Sequence, residues 1–268
     1  MNYRIAIPSK GRAYTLFQLT IKTLREAGFP KDIIDIFVVP DELEKYKLYS
    51  EADPHYDKII PGVSGLANQR ELIKNFYAED QNIFFVDDDI NNFKILPNLK
   101  PLPQIIDEMF LITKAEGCHI FALYPVANLF FQKPRILKGK IIAVGAAYGF
   151  INNREQDTYE DEKEDVQRSC FWIEKDGAIL RLEAVGIQTR YFKGTGGLQA
   201  TRTADSIKEA SNRVHQQYPL LLDSPVLKKA GKKGNYWDVK FKRCPKLILP
   251  IENLKQSGPA PQQPQEEY

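Results

Sequence analysis

The chain has 268 residues, of which 43% are hydrophobic and 27% are charged, and its formal net charge is +2. This composition is ordinary for a soluble globular protein with a sizeable core, and no apolar stretch approaches the ~18 residues of a membrane span. The lack of such a stretch predicts no membrane partner, and the three cysteines, which lie far apart, predict reduced thiols and a cytoplasmic location.

Residues 1–90 alternate between strand and helix signals, with Gly28, Pro30, Pro40 and Pro61 between the segments. The predicted strands cover residues 3–7, 33–39, 57–60 and 82–86, and the predicted helices cover residues 13–27, 41–48 and 64–77. This order predicts an α/β fold with a parallel, doubly wound sheet. In such sheets ligands bind beyond the carboxyl ends of the strands.

The second half of the chain is less regular. We predict helices at residues 102–114, 166–175 and 203–218, with Thr203 or Asp205 as the cap of the last one. Predicted strands cover residues 119–124, 140–148 and 178–189, with a basic, proline-containing separator at 132–138, a break at Gly186 and a glycine-rich turn at 191–198. Residues 257–268 are rich in Pro, Gln and Glu and are expected to be disordered.

The most informative local pattern is the apolar run 83–86, which leads directly into Asp87, Asp88 and Asp89. A short unbroken apolar run is typical of a strand buried on both faces. Side chains alternate along an extended segment, so Asp87 and Asp89 would share one face. Neighbouring carboxylates repel unless a cation lies between them, and oxygen ligands suit Mg²⁺ and Mn²⁺. The alternative is a solvated loop in which one Asp caps a following helix.

Charge is distributed unevenly in the second half. Residues 155–165 carry seven acids against Lys163, and residues 228–246 carry eight Lys or Arg against Asp238. This asymmetry indicates two tasks, holding a cation and meeting a polyanion. The basic stretch includes aromatic residues that can stack a flipped base, and an alternative is a solvated basic hairpin. Its candidate DNA-binding residues are Lys232, Lys233, Trp237, Lys240 and Lys242.

Several motifs in order resemble a known family. Ser64-Gly-Leu-Ala-Asn-Gln-Arg70, a helix and Ile83-Phe-Phe-Val-Asp-Asp-Asp89 resemble the N-terminal half of family 2 GT-A glycosyltransferases, where an Ala-Arg-Asn helix precedes an apolar strand ending in Asp-x-Asp. Glu164-Asp165 is similar to their second signature, a Glu-Asp pair that opens a helix. Ile7-Pro-Ser-Lys-Gly-Arg12, Val38-Val-Pro-Asp41 and the acidic turn look like the TET-associated glycosyltransferases of bacteriophages, which place sugars on hydroxymethylated pyrimidines in phage DNA.

The resemblance implies a GT-A, Rossmann-like, doubly wound and mostly parallel sheet with an irregular acceptor-side C-terminal half. Residues 1–100 would form the nucleotide-sugar-binding half, 101–250 the acceptor-binding half, and 251–268 a C-terminal segment with a disordered tail. It also implies Mn²⁺ or Mg²⁺ as cofactor. The implied metal ligands are Asp87, Asp89 and His215, and the implied nucleotide-sugar contacts are Pro8, Ser9, Arg12, Asp41, Arg70, Asp87 and Asp88.

Glu164 and Asp165 are the implied catalytic pair, with Asp165 as general base if the enzyme inverts the anomeric centre. The pair Glu160–Asp161 is an alternative, and a solvated acidic loop is another. The loop with Lys193 and residues 195–197 would cover the diphosphate. For His215 the alternative is a plain surface histidine, and for Asp41 it is a helix N-cap.

The expected function is metal-dependent transfer of a sugar from a nucleotide-sugar, UDP-linked, to a hydroxymethylated pyrimidine in DNA, in the host cytoplasm if the chain is phage-encoded. Transfer to a polysaccharide or a protein is an alternative, as is a non-catalytic nucleic-acid-binding protein. A nucleotidyltransferase would usually show a glycine-rich phosphate loop with Arg and Lys after the first strand, where this chain has only Gly11.

Overall fold

The structure is a computed structural model, and it describes residues 1–189, 203–229 and 235–256. The strands are β1 Arg4–Ser9, β2 Ile34–Val38, β3 Lys58–Pro61, β4 Asn82–Val86, β5 Ile90–Ile95, β6 Ile120–Tyr124, β7 Ile136–Gly139, β8 Ala147–Ile151, β9 Ile179–Thr189, β10 Val226–Lys229, β11 Asn235–Asp238 and β12 Leu247–Leu249. The α-helices are α1 Ala13–Thr15, α2 Lys22–Glu26, α3 Leu43–Ser50, α4 Leu66–Phe76, α5 Leu102–Ala115, α6 Glu164–Asp176 and α7 Ala204–Gln217. A π-helical turn, Leu16–Ile21, joins α1 to α2, and short 3₁₀ helices cover Lys31–Ile33, Pro40–Glu42 and Glu252–Leu254.

One large sheet organises the described residues, with strand order β12-β7-β9-β6-β8-β4-β1-β2-β3 and β5 paired to β9. Strands β1 to β4 run parallel to one another, and β6, β9 and β12 share their direction. Strands β5, β7 and β8 run the opposite way. The predicted α/β fold with a mostly parallel central sheet is therefore confirmed. Strands β10 and β11 form a separate hairpin.

The central strands are buried on both faces, as their apolar runs predict. Ile5 and Val86 belong to one hydrophobic core, and Ala6 and Phe85 belong to a second core on the other face. The helical segment 13–26 and α5 cover the first core, while α4 and α6 cover the second. The sheet is therefore a rigid middle layer, and its strand ends position the candidate site.

The predictions for residues 1–86 agree with the structure in type and order, whereas in the second half one predicted strand was misplaced and strand β7 was not predicted. Residues 141–146 are apolar but are not a strand, and the strand predicted at 140–148 begins only at Ala147. Side chains of other elements bind the backbone of this segment: Ser169 bonds the Ala143 N–H, and Arg70 bonds the Gly145 carbonyl. A backbone satisfied in this way needs no strand partner. The predicted separator contains β7 instead.

Strand β9 is continuous, so the predicted break at Gly186 is wrong as a break. Gly186 instead marks a change of partner, because β9 pairs with β7 up to Leu182, with β6 up to Gly186 across a shift of register, and with β5 from Val185 onward. A Cβ atom at Gly186 would lie 2.5 Å from the Val126 carbonyl oxygen, so the close approach requires glycine.

The cap of α7 is as predicted, since the Thr203 side chain accepts a hydrogen bond from the Ser206 N–H in a capping box. The predicted glycine-rich turn 191–198 and the predicted disordered tail 257–268 lie outside the described residues. Across the three described ranges, no helix has the length and apolar character needed to span a bilayer.

Candidate active site

The three consecutive aspartates form a tight turn between β4 and β5, which we call the acid turn, Asp87–Asp89. Because the residues turn and are not extended, strand alternation does not decide where their side chains point. Asp88 and Asp89 both contact Arg12, whereas Asp87 contacts Arg70. Strand β5 follows the turn, so the alternative in which one of these Asp residues caps a following helix is wrong.

Asp88 is bound by Ser9, the last residue of β1, and by Arg12, which ends the loop after that strand. The Arg12 guanidinium lies 2.9 Å from Asp88 Oδ1 and 3.5 Å from Asp89 Oδ2. Ser9 donates to Asp88 Oδ2 at 2.6 Å and also bonds the Tyr46 hydroxyl at 2.7 Å. Asp88 is only 5% exposed, and burial raises its pKa against the opposing effect of Arg12. Its carboxylate therefore fixes the β1 loop to the acid turn.

On the other side of the turn, Arg70 joins the two halves of the chain. Arg70 is 3% exposed, and its Nη2 atom lies 3.4 Å from Asp87 Oδ1, 3.3 Å from Glu164 Oε1 and 3.3 Å from the Gly145 carbonyl oxygen. Its Nη1 atom donates to the Tyr148 hydroxyl at 3.1 Å. One guanidinium thus connects the acid turn to the first residue of α6.

Glu164 lies between two arginines. It pairs with Arg70 and, one helical turn along α6, with Arg168. The Arg168 guanidinium lies 4.0 Å from the centre of the Tyr148 ring, and the Arg70 guanidinium lies 5.3 Å from it. Glu164 is buried, so its carboxylate acts here as the link of an ion-pair network.

Asp165 is the second residue of α6 and is partly exposed. Its Oδ1 atom accepts a hydrogen bond from the Val166 N–H at 2.9 Å. Burial and the adjacent Glu164 carboxylate raise the pKa of Asp165. A carboxylate with a raised pKa is a stronger base, which suits the predicted role.

The alternative pair, Glu160–Asp161, is held by structural contacts. Glu160 binds the Arg213 guanidinium through two bonds of 2.6 and 2.8 Å. Asp161 Oδ1 accepts from the Ala67 N–H at 2.8 Å, at the amino end of α4, where a carboxylate satisfies an unpaired helix donor. These contacts favour the Glu164–Asp165 register over the alternative.

The acid turn has the donor chemistry for a hard divalent cation. The Asp87 side chain is 35% exposed. Burial of the carboxylate, opposed by Arg70 and reinforced by Asp89, raises the pKa of Asp87 to about 8. A cation bound there would replace the proton that this environment favours. Mg²⁺ is commonly held by one or two carboxylates together with substrate phosphates, so Asp87 and Asp89 fit such a site.

His215 does not form a three-residue metal site with Asp87 and Asp89. Within the described ranges, no group of three His, Cys, Asp or Glu residues could by itself hold a metal ion. His215 lies on α7, half-buried, and its Nδ1 atom is buried without a hydrogen-bond partner. Its role as a metal ligand remains a prediction.

The remaining nucleotide candidates lie at the carboxyl ends of the first two strands. Pro8 is buried in β1 opposite Phe37 of β2. Asp41 is exposed in the short 3₁₀ helix after β2, whose N-cap is Val39, so Asp41 is not that cap. Pro8, Asp41 and the acid turn therefore share one edge of the sheet.

Of the candidate DNA-binding residues, Trp237 lies on β11, and Lys240 and Lys242 lie in the segment after it. Lys208 of α7 lies over the Trp237 ring, 5.1 Å from its centre, and Lys163 donates to the Trp237 carbonyl at 3.1 Å. Lys240 is exposed, and Lys242 donates to the Pro219 carbonyl at 2.8 Å. Lys163 immediately precedes α6, so the hairpin contacts the start of the helix that carries Asp165. Lys232, Lys233, Lys193 and residues 195–197 lie outside the described residues.

Sequence reasoning missed three residues of this network. Arg168 stands four residues after Glu164 on α6, and this spacing is a recognisable ion-pair signal. Tyr148 and Gly145 carry no local signal, because their contacts come from α4 and α6.

Comparison with solved structures supports the fold. The crystal structure of glucosyl-3-phosphoglycerate synthase from Mycobacterium tuberculosis in complex with Mg²⁺ and UDP is similar with a TM-score of 0.50 and 12% identity over 93% of this chain and 90% of that chain. S. aureus TarS is similar with a TM-score of 0.50 and 10% identity over 81% of this chain, which spans only 39% of the TarS chain.

No protein-family model matches the sequence, and no curated protein matches it. At this level of identity the likeness concerns the fold alone. The strand order and these structures together confirm the GT-A fold of glycosyltransferases that the motifs predicted.

Proposed function

We propose that the protein transfers a sugar from a UDP-linked nucleotide-sugar to a hydroxyl acceptor. The observation that carries the proposal is the acid turn at the carboxyl end of β4, flanked by Arg12 on one side and Arg70 on the other. Ligands of doubly wound sheets bind at this edge. The glucosyl-3-phosphoglycerate synthase of similar fold binds Mg²⁺ and UDP, which supports the same donor class here.

Asp87 and Asp89 would hold Mn²⁺ or Mg²⁺, which supplies Lewis-acid stabilisation of the negative charge on the departing diphosphate. Asp88 keeps Arg12 beside the turn, and Glu164 keeps Arg70 there. Both guanidinium groups thus bring fixed positive charge to the place where the leaving group becomes anionic. Pro8, Ser9 and Asp41 would line the nucleotide pocket along the same strand ends.

Asp165 would take the proton from the acceptor hydroxyl as that oxygen attacks the anomeric carbon, if the enzyme inverts. The sugar–phosphate bond breaks as the new bond forms, and UDP leaves with the electron pair. Glu164 would hold the start of α6 through Arg70 and Arg168, so that Asp165 keeps its place relative to the donor.

The acceptor that we favour is a hydroxymethylated pyrimidine in DNA. Trp237 lies on β11, Lys240 follows this strand, and Lys163 links the hairpin to the start of α6. A lysine can neutralise a backbone phosphate, and an aromatic ring can stack against an unstacked base. Phe130 is 85% exposed on the loop after β6, a strand whose carboxyl end faces the same edge as the acid turn. An extended acceptor would contact both the segment with Trp237 and Lys240 and the loop with Phe130.

The test is an assay of UDP release with Mn²⁺, a panel of UDP-sugars and either hydroxymethylated or unmodified DNA. We expect release above the hydrolysis background only with hydroxymethylated DNA, and loss of release in EDTA. Release with a polysaccharide or a protein acceptor, and none with DNA, would replace the acceptor while keeping the transferase. Binding of DNA without any UDP release in the presence of all donors would contradict the transferase itself.

A further inference from the structure

A buried hydroxyl bridges the backbone of the acid turn. Thr20 is fully buried, and its Oγ1 atom donates to the Asp87 carbonyl at 3.0 Å. The same oxygen accepts from the Ile90 N–H at 3.0 Å. The single hydrogen of the hydroxyl is donated at the start of the turn, and one of its lone pairs accepts the N–H at the end of the turn. Thr20 therefore closes the loop that carries Asp88 and Asp89.

Thr20 stands in the π-helical turn Leu16–Ile21 between α1 and α2. π-Helical turns are rare in proteins, and those that occur are often found at functional sites. Arg12 precedes the same helical segment, so this segment contacts the acid turn twice, by charge through Arg12 and by backbone through Thr20. Thr23, three residues further, donates to the Ile90 carbonyl at 3.4 Å and continues the contact.

Three adjacent carboxylates repel one another, and this repulsion favours an open, extended turn. We propose that Thr20 is a positioning residue, which holds the turn closed so that Asp87 and Asp89 present their oxygens together to a divalent cation. The inference rests on the proposed function. It adds a residue that makes no contact with donor or acceptor and acts only through the backbone of the acid turn.

The experiment compares Thr20→Val, which keeps the shape of the side chain but removes the hydroxyl, with Thr20→Ser, which keeps the hydroxyl and removes the methyl group. Thr113→Val is the matched control, because Thr113 is also fully buried on a helix and its hydroxyl bonds the Met109 carbonyl of the same helix at 2.6 Å. The readout is Mn²⁺ binding in the presence of UDP, followed by electron paramagnetic resonance, with thermal unfolding measured for every variant.

We expect Thr20→Val to weaken Mn²⁺ binding about tenfold, the effect of losing one to two buried hydrogen bonds. Thr20→Ser should bind within about twofold of the wild type, and Thr113→Val should lose stability while binding Mn²⁺ normally. If Thr20→Val only unfolds at a lower temperature and binds Mn²⁺ as well as the wild type, the positioning role is overturned. A wild-type protein that binds neither Mn²⁺ nor UDP overturns the proposed function, and this inference with it.

Discussion

The acid turn and the acidic run 155–165 are both rich in carboxylates, yet most of these carboxylates have structural partners. In the acid turn, Asp88 is buried against Arg12, while Asp87 remains partly exposed. In the acidic run, Glu160 binds Arg213 and Asp161 caps α4. The comparison teaches that the chemistry of an acidic segment depends on how closely each carboxylate is held by its partners: Asp87 lies 3.4 Å from Arg70, whereas Asp88, Glu160 and Asp161 are bound at 2.9 Å or less.

We propose that each segment supplies one function. In the proposed function the acid turn would contribute Asp87 and Asp89 for a cation, and the acidic run would contribute Asp165 for a proton. Arg70 connects them, because it contacts both Asp87 and Glu164. Substitutions that separate the proposed functional carboxylates from the closely bound ones therefore test the comparison.

The largest effect is expected in the acid turn. Asp87→Asn and Asp89→Asn should lower turnover by at least about 10³-fold, because the cation that stabilises the leaving diphosphate loses a ligand. Asp88→Asn should lower turnover less, because Asp88 acts through Arg12, which Asp89 also contacts, and it should lower the free energy of unfolding, because Arg12 loses a buried partner. Turnover with Mn²⁺ and chemical denaturation measure the two effects. Equal turnover in all three variants would remove the distinction.

The next effect concerns the acidic run. Asp165→Asn should lower transfer by about 10²–10⁴-fold with donor affinity nearly unchanged, since it removes only the proton acceptor. Asp161→Asn is the matched control, because its amide oxygen can still accept from the Ala67 N–H, and it should remain active. An inactive Asp161→Asn beside an active Asp165→Asn would move the base to the earlier pair.

A smaller effect follows from the pKa of Asp87, which is raised to about 8. Since the folded protein binds this proton more tightly than the unfolded chain, the metal-free protein should lose stability as the pH rises from about 4 to about 8. Mn²⁺ competes with the proton, so Mn²⁺ should stabilise the protein more at pH 8 than at pH 6. Thermal unfolding at both pH values measures this. Asp87→Asn should flatten both dependences.

The smallest effect concerns the acceptor surface. Replacing Lys232, Lys233, Lys240 and Lys242 by Ala should weaken DNA binding and reduce its salt dependence by about one log–log unit for each phosphate that the variant no longer neutralises. The matched control replaces the exposed lysines Lys31, Lys45, Lys58 and Lys114 by Ala. A salt titration of DNA binding compares the two variants. Equal slopes of log affinity against log salt concentration would mean that DNA binds to another surface or responds only to the total charge of the protein.

The sequence was sufficient for residues 1–86 because their elements are local, whereas strand β5 was not predicted. Apolar runs such as 83–86 are long enough to predict buried strands, and Gly28 or Pro40 separates them from helices. Residues 141–146 carry the same apolar signal but are held by Arg70, Arg168 and Ser169 from distant helices. Such long-range interactions have no local signature.

The site was predictable to a similar extent. The motif indicated the acid turn and the pair Glu164–Asp165, but the partner of each carboxylate could not be read from the chain. Arg213 lies 53 residues after Glu160, and Ala67 lies 94 residues before Asp161. Only the fold shows that these residues bind the earlier pair and that Thr20 bridges the acid turn.

The most direct test of the central claim is a calorimetric titration of UDP into the wild type and Asp87→Asn, each in Mn²⁺ and in EDTA. If the acid turn holds a cation that in turn holds the diphosphate, Mn²⁺ should tighten UDP binding to the wild type at least about tenfold, a gain of about 1.4 kcal/mol. The gain should vanish in Asp87→Asn, whose affinity should equal that of the wild type in EDTA. Equal UDP affinity of the wild type in Mn²⁺ and in EDTA would contradict the account.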